Sequence, residues 1–515
     1  MKLIILLNFL VFVHADIVED TVQRLINFPK TEACDNFYRH ACPLKSNGLT
    51  GAYTEQARSL ANDILNSPNR KYSIMADFRS YDWIYRLEKY DFELPLYPEY
   101  TLEELTGIYY DLCEKGQDST ILMEYFERYL TNFNENGSQS ISHLSKSENC
   151  TSARQQLETH ILKEKTDYNL HKKIMKIQKT LQLNYLKLVG AELAETNSNI
   201  KNGIEKVATI FDDIKTIYKS WVKDTKWVKN NNSMKFVLSR LEEVNLVKDF
   251  TKMRIEYSKT LKDAEEYYQK CKQDIQINSQ HANALCMLCA VAKEKIFRYD
   301  DGDNAAVGFF NGFNSHPSIN LALPFYLAVN DIKTTSGRIG FIGTTLAHEI
   351  GHSLVENYET SKNLPFFSKI ATKCIQDTYR KTCDEFEERS CTVEPHQVRE
   401  NGPDILASQL AYKYFRNVVG AEYDKIYEPL NVTHEQLYFY SFSAIHCDGD
   451  PSEQERYDDR TTDHHSASNI RVNVMAQIPE FKTAFDCSAD SRMVKVVKEQ
   501  CFIYGENAPM TKKFS

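Results

Sequence analysis

Proline is missing from the whole interval between Glu99 and His316. That excludes a proline-rich linker there, and the interval is rich in Lys, Glu, Leu and Gln. Apolar residues recur at three- and four-residue steps through Ala153–Ala194, Gly203–Trp221 and Met234–Lys270, which predicts a largely helical lobe. Its charge runs are solvated helix faces with i,i+4 pairs. A dense basic block is also missing, and the formal charge of −9 with a pI near 5.9 argues against nucleic acid as a partner. No internal repeat stands out. No apolar run reaches the ~20 residues of a membrane span. The one candidate, Leu3 to Val13, follows Met1-Lys2 and precedes Val13-His14-Ala15. It reads as a signal peptide over 1–15, cut after Ala15, so a secreted, extracellular product without stable membrane insertion is expected.

Cysteine, by contrast, is plentiful: 13 residues, in keeping with a compartment where disulfides persist. Cys286-Met-Leu-Cys289 has no second C-x-x-C beside it, so a local disulfide or two separate bridges is favoured over structural zinc. The odd total leaves at least one thiol unpaired or intermolecular. Asn136, Asn149, Asn231 and Asn431 open N-x-S/T glycosylation triplets.

At 515 residues the chain exceeds one ordinary core, and two domains or one bilobal unit is the expectation. Cys34 and Cys42 flank an aromatic stretch that reads as a short helix or turn, its cysteines pairing with each other or with distant partners. Tyr299-Asp-Asp-Gly-Asp303 is a surface turn, since a calcium loop would need later ligands that are missing. Ala305–Phe313 and Ser318–Pro324 read as two short extended segments.

These lead into Leu346–Leu354, which holds His348, Glu349 and His352 as H-E-x-x-H. On a helix, residues four apart share a face, so the two imidazoles can meet one zinc ion while Glu349 stands beside it. Zinc would bring a bound water towards a pKa of about 7, and Glu349 would take its proton as it attacks a peptide carbonyl. The alternative is an amphipathic core helix, but buried histidines beside a buried glutamate are costly unless a charge neutralises them. Val355 and Tyr358 stand where a metzincin needs Gly and His, which excludes that subclass. A glutamate on a second helix is the other common solution. In the segment Val398–Phe415, Glu400 could face the metal while Asp404, one turn on, holds a ligating ring by its second N–H. Without context, two carboxylates at a helix start are more often dipole complements.

With these residues together, the chain resembles the neprilysin family, the M13 zinc endopeptidases. Cys34–Cys42 is similar to the family's C-D-x-F-x-x-x-A-C, Asn311-Gly-Phe313 to its N-A-[FY] strand, and His348–His352 to its zinc helix. Glu400-Asn401 with Asp404 looks like its E-N-x-x-D, and Asp463–Arg471 like its D-x-H-S-x-x-x-x-R. The resemblance implies a mainly α, two-lobed, gluzincin-type metallopeptidase with a small β-sheet, stapled by disulfides. It implies a helical lobe over 16–298 and a catalytic domain over 299–515, with the Cys34–Cys42 segment packing on the latter. One zinc ion would be held by His348, His352 and Glu400. Glu349 would be the general base, Asp404 would orient a histidine, and His465 would donate to the oxyanion. Arg471, Asn311 and the backbone at Gly312 would bind the peptide substrate, cut on the amino side of apolar residues. The implied disulfides are Cys34–Cys487, Cys42–Cys447, Cys113–Cys271 and Cys374–Cys501, with Cys383 and Cys391 pairing locally.

The chain also departs from the pattern. The interval from Cys271 to Asn311 is short, Gly402-Pro403 replaces a small or aliphatic pair, and Val355-Glu356 replaces an acidic pair. Tyr504 stands where the family has tryptophan, and His446 where an aromatic is common. The rival expectation is a catalytically inactive, secreted binding protein on the same fold.

Overall fold

In the computed structural model the described residues are 31–42, 49–65, 102–116, 144, 149–165, 187–228, 231–275, 310–354, 368–386, 397–447, 465–496, 499–506, 508 and 511–513. The expected signal peptide, the acidic turn at 299–303, and Cys286, Cys289 and Cys391 lie outside them. Most of the described residues are helical, with short strands between.

The contacts divide the chain discontinuously, whereas the sequence reading draws one boundary near residue 298. One compact unit joins Met1–Ala57, Thr196–Lys248 and Phe309–Ser515; the other joins Arg58–Glu195 and Asp249–Gly308. Helical periodicity finds a helix but not the core it serves, so it groups Thr196–Lys248 with its sequence neighbours.

The second unit contains helices Leu102–Glu114, Cys150–Lys165 and Thr251–Ile275. Leu112 and Leu157 are fully buried, and the Tyr109 hydroxyl donates to the Leu144 carbonyl at 2.7 Å. Cys113 pairs with Cys150, not with Cys271. The two half-cystines stand at the adjoining ends of two packed helices, which brings them together without any help from the Thr251–Ile275 helix. Cys271 and Cys383 are disulfide-bonded as well.

In the first unit, α1 (Phe37–Ala41) is capped by the Asn36 side chain, which accepts from the Arg39 amide. Phe37 packs edge-on against Phe481, and the flanking disulfides Cys34–Cys487 and Cys42–Cys447 fasten the segment. Helix α2 (Ser198–Asp224) buries Ile200, Ile204, Val207, Phe211, Ile214, Tyr218 and Val222, a stripe at helical spacing. It packs on α4 (Leu323–Asp331), and α3 (Asn231–Glu243) packs beside it. Gly203 makes the α2–α4 approach possible, because a Cβ there would stand 1.9 Å from the Tyr326 carbonyl oxygen.

A three-stranded sheet flanks these helices: β1 (Asn245–Leu246), β2 (Gly312–Ser315) and β3 (Ser318–Leu321) in the order β1-β3-β2. β3 runs parallel to β1 and antiparallel to β2, with Gly312 opposite Leu321 and Ser315 opposite Ser318. β2 is therefore an edge strand. A helical run from Thr335 passes through a π-helical turn at Ile339–Gly343 into α5 (Thr344–His352). α6 (Lys369–Phe386), α7 (Val398–Val419), α8 (His434–Ala444) and α9 (Ser468–Asn473) complete the surroundings of the site. A Thr433–Gln436 capping box starts α8, and Cys374–Cys501 ties α6 to a short terminal strand. Tyr504, at the family's tryptophan position, is buried and stacks on Trp227 at 5.8 Å.

Candidate metal centre

The site forms where α5 meets α7. They approach closely at Gly351, where a Cβ would come within 3.1 Å of Pro403 Cα. α7 starts at Val398, so Pro403 lies in its second turn rather than the first, where proline is best tolerated. A proline there forfeits one backbone hydrogen bond. Glu400 nevertheless stays aimed at the histidines, and the missing N–H coincides with the close approach at Gly351. On the same side of α5, where it would meet that Gly351 Cβ at 3.2 Å, the buried Tyr218 hydroxyl donates to the Ala347 carbonyl at 2.8 Å, fixing the helix one residue before the first histidine.

Glu400 Oε2 is the centre of the constellation. It stands 3.3 Å from His348 Nε2, 3.2 Å from His352 Nε2 and 3.1 Å from His465 Nε2. The two α5 histidines bring their Nε2 atoms to 2.9 Å of each other. A tetrahedral ion with ligands at about 2.0–2.1 Å sets them roughly 3.3 Å apart, so His348, His352 and Glu400 have the spacing of three ligands to one zinc. Ring spacing separates the third histidine from this set. Two imidazoles sharing such an ion have centroids roughly 5 Å apart; His348 and His352 are at 4.6 Å, His348 and His465 at 6.5 Å. His465 nonetheless turns its ring nitrogen into the cluster, and one ligand atom each from His348, Glu400 and His465 lie within 4.8 Å of one another.

The donor chemistry fits a cation. Asp404 Oδ1 lies 2.8 Å from His348 Nδ1, which favours the proton on that nitrogen and turns the Nε2 lone pair towards Glu400. Two lone-pair donors then face each other unless a positive charge joins them. Glu400 Oε2 is buried without a well-directed hydrogen bond among the described residues. Burial pushes the Glu400 carboxyl up, but the three imidazoles beside it hold it well below the usual carboxylate range. For His348, burial lowers the pKa while Asp404 and Glu400 raise it more, to about 10. The carboxylates that attract a proton here would equally attract a metal ion.

Asp404 is 8 % exposed and heavily supported. Arg471 of α9 donates from Nε to Oδ2 at 2.8 Å and from Nη2 to Oδ1 at 2.7 Å, and the Tyr379 hydroxyl of α6 donates to Oδ2 at 3.1 Å. Burial raises this carboxyl, and Arg471 followed by His348 more than reverses that, leaving it well below its ordinary value. Glu349 is buried, with its carboxylate against the edge strand: a Cβ on Gly312 would come within 3.1 Å of its Oε1. Asn311 precedes that glycine; its Oδ1 accepts from the Gly312 amide at 2.9 Å and its carbonyl from the Ala322 amide at 3.0 Å.

The structure thus brings His348, Glu349, His352, Glu400, Asp404, His465 and Arg471 together, with Asn311 and Gly312 on the adjoining strand. Sequence reasoning missed Tyr379 and the residues that hold the His465 segment. Gln397 donates to the His465 carbonyl at 3.3 Å, and Ser466 donates to Asn401 Oδ1 at 2.8 Å. Asn401 and Ser466 are visible as the motif neighbours of Glu400 and His465; nothing in the sequence marks Tyr379 or Gln397. His446 is pushed down to about 3 by burial and then by Arg471, so it is neutral at neutral pH.

Residues 317–501 match the profile of peptidase family M13. Over 193 residues the chain is 26% identical to Neprilysin-3 of Drosophila melanogaster, a match spanning 34% of this chain and 23% of that protein's length. Among solved structures, the zinc metalloprotease Zmp1 of Mycobacterium tuberculosis, in complex with an inhibitor, aligns at a TM-score of 0.49 and 12% identity. That alignment covers 90% of this chain and 96% of the other. A chain of a Haemonchus galactose-containing glycoprotein complex aligns at 0.49 and 15%, covering 94% and 99%. The segment that holds the zinc helix, Glu400 and the Arg471–Asp404 pair is thus the part of the chain that is similar to peptidase family M13, and the chain spans under a quarter of the length of the curated relative it matches.

Proposed function

We propose that the chain is a secreted zinc endopeptidase that hydrolyses oligopeptides on the amino side of apolar residues, with one zinc held by His348, His352 and Glu400. The observation that carries the reading is the convergence of three ring nitrogens on the buried, unsatisfied Glu400 Oε2. When bound, zinc supplies Lewis acidity, acidifying a water and polarising the scissile carbonyl.

The chain's own residues do the rest. Glu349, against the edge strand, takes the proton of the attacking water and delivers it to the leaving amine. Asp404 holds His348 in one tautomer, and Arg471 and Tyr379 hold Asp404. His465 donates from its ring to the oxyanion, where a preorganised donor counts most because charge develops there. Arg471 spends Nε and Nη2 on Asp404 and keeps the rest of its guanidinium for a substrate carbonyl. Asn311, Gly312 and the open edge of β2 take the peptide main chain by strand addition. Disulfides between distant segments fit an oxidising, extracellular site of action. No helix among the described residues is long and apolar enough to cross a membrane.

The test is cleavage of a quenched-fluorescent peptide library with and without chelator, beside Glu349→Gln. Chelator-sensitive cuts before apolar residues, lost in a variant that still binds one zinc per chain, support the proposal. A parent protein that binds stoichiometric zinc and cuts nothing overturns it in favour of a peptide-binding protein on a protease fold.

A further inference from the structure

Helix α5 ends at its second histidine, with Ser353 as the C-cap, and that ending leaves a carbonyl without its usual partner. In a continuing helix the Glu349 carbonyl would accept from the amide of residue 353. Here the Ser353 amide turns back to Ile350 O at 3.0 Å, and the Leu354 amide bonds Gly351 O at 2.9 Å. The Glu349 carbonyl is one of the orphans that a helix C-terminus creates. A residue from another element satisfies it. Asn314, on edge strand β2, donates from Nδ2 to the Glu349 carbonyl and also to Ser353 Oγ, the latter at 2.7 Å.

The bond belongs to a directed chain. Ser353 is fully buried; its hydroxyl accepts from Asn314 and lies 3.3 Å from His316 Nδ1, while His316 Nε2 lies 3.2 Å from Glu243 of α3. With the His316 proton on Nε2, each group donates to the next: Asn314 to Ser353, Ser353 to His316, His316 to Glu243. Asn314 has two amide hydrogens, and both are used. Strand geometry adds a second grip. Residues 312 and 314 share one face of β2, and Gly312 on that face leaves the space that the Glu349 carboxylate occupies. The strand holds Glu349 by its main chain through Asn314 and receives its side chain at Gly312.

We propose that Asn314 is a positioning residue for Glu349: a side-chain cap, supplied by the strand that takes the substrate, which fixes the end of the zinc helix and with it the general base. The catalytic half of this inference rests on the endopeptidase reading above; the capping half does not. The Asn314 side chain bonds Glu349 O and Ser353 Oγ rather than His348, His352 or Glu400, so metal binding should survive its loss while proton transfer suffers.

The test uses the full chain loaded with zinc, in the variants Asn314→Ala and Asn314→Asp, the second keeping the shape but removing the amide donors. Zinc stoichiometry, kcat and KM on a cleaved peptide, and hydrogen exchange at the Ser353 and Leu354 amides are measured for each. The expected result is one zinc per chain, KM within about twofold, kcat lower by about tenfold or more, and exchange at those two amides faster by about tenfold. Ser353→Ala, which keeps the direct bond to the Glu349 carbonyl, should show a smaller loss of kcat than either. If exchange and kcat are unchanged in both Asn314 variants, the inference falls. It also falls if kcat drops only together with zinc content, since Asn314 would then be a prop for the metal site. Should the parent protein cut no peptide, the endopeptidase reading fails and the exchange rates alone decide whether Asn314 is the cap.

Discussion

Arg471 closes a two-pronged fork on Asp404, with Nε on one carboxylate oxygen at 2.8 Å and Nη2 on the other at 2.7 Å. The partners come from different helices, α9 and α7, and both are largely buried, with side chains 16% and 9% exposed. Because the same carboxylate meets His348 Nδ1, the fork also sets the orientation of a candidate metal ligand. A bidentate pair fixes direction as well as distance, which a single lysine would not do.

Asp404→Asn should therefore weaken zinc binding without removing a ligand. Loss of a carboxylate that orients a ligating histidine costs about 10- to 100-fold in metal affinity. The measurement is competition for zinc against a chromophoric chelator. Affinity within twofold of the parent would mean that Tyr379 and Arg471 hold His348 in place without Asp404.

The same carboxylate should leave a mark on acid stability in the zinc-free protein. Asp404 is held well below its ordinary value, by Arg471 first and His348 second against the opposing effect of burial. A depressed carboxyl contributes stability that is present above its unfolded value of about 3.9 and is lost as pH falls through the folded value. Acid unfolding of the chelated parent should thus steepen below about pH 4, and Asp404→Asn should flatten that limb while being less stable near neutral pH. Urea midpoints across the range, by circular dichroism, would show it. Parallel curves for parent and variant would contradict the linkage.

What the sequence could and could not announce follows from the range over which each signal acts. H-E-x-x-H and the Glu400–Asp404 spacing are helical neighbours, so their convergence on one face is local geometry. The edge strand is legible only in part: the extended segments read at Ala305–Phe313 and Ser318–Pro324 overlap strands that run over Gly312–Ser315 and Ser318–Leu321. Tyr379 is not, because its claim on Asp404 depends on how α6 lies across α7, and a buried tyrosine on an amphipathic helix looks like core. The Cys113 pairing escapes for a similar reason: the resemblance implies a family-wide bridge to Cys271, whereas Cys113 and Cys150 stand at adjoining helix ends. Asn314 looks like any polar strand residue until the end of α5 shows an unpaired carbonyl.

The contact between α2 and α4 gives the sharpest stability prediction. Gly203 is mid-helix, where glycine costs roughly 0.5–1 kcal/mol relative to alanine on conformational grounds, so Gly203→Ala would stabilise an isolated helix. In the protein the new Cβ would meet the Tyr326 carbonyl oxygen at 1.9 Å, with the carbonyl carbon at 2.6 Å. Those are main-chain atoms that cannot rotate away, so the helices must separate, and overpacking of this kind typically costs about 1–3 kcal/mol. The overlap is severe enough that the upper end of that range should outweigh the gain in helix propensity. The expected outcome is a fall in thermal midpoint of several degrees for Gly203→Ala, measured on the chelated protein so that zinc binding does not mask it. Because α2 also carries Tyr218, whose hydroxyl holds the Ala347 carbonyl, a shifted α2 should weaken zinc binding as well. A variant as stable as the parent and equal in zinc affinity would mean that the two helices can part without disturbing α5.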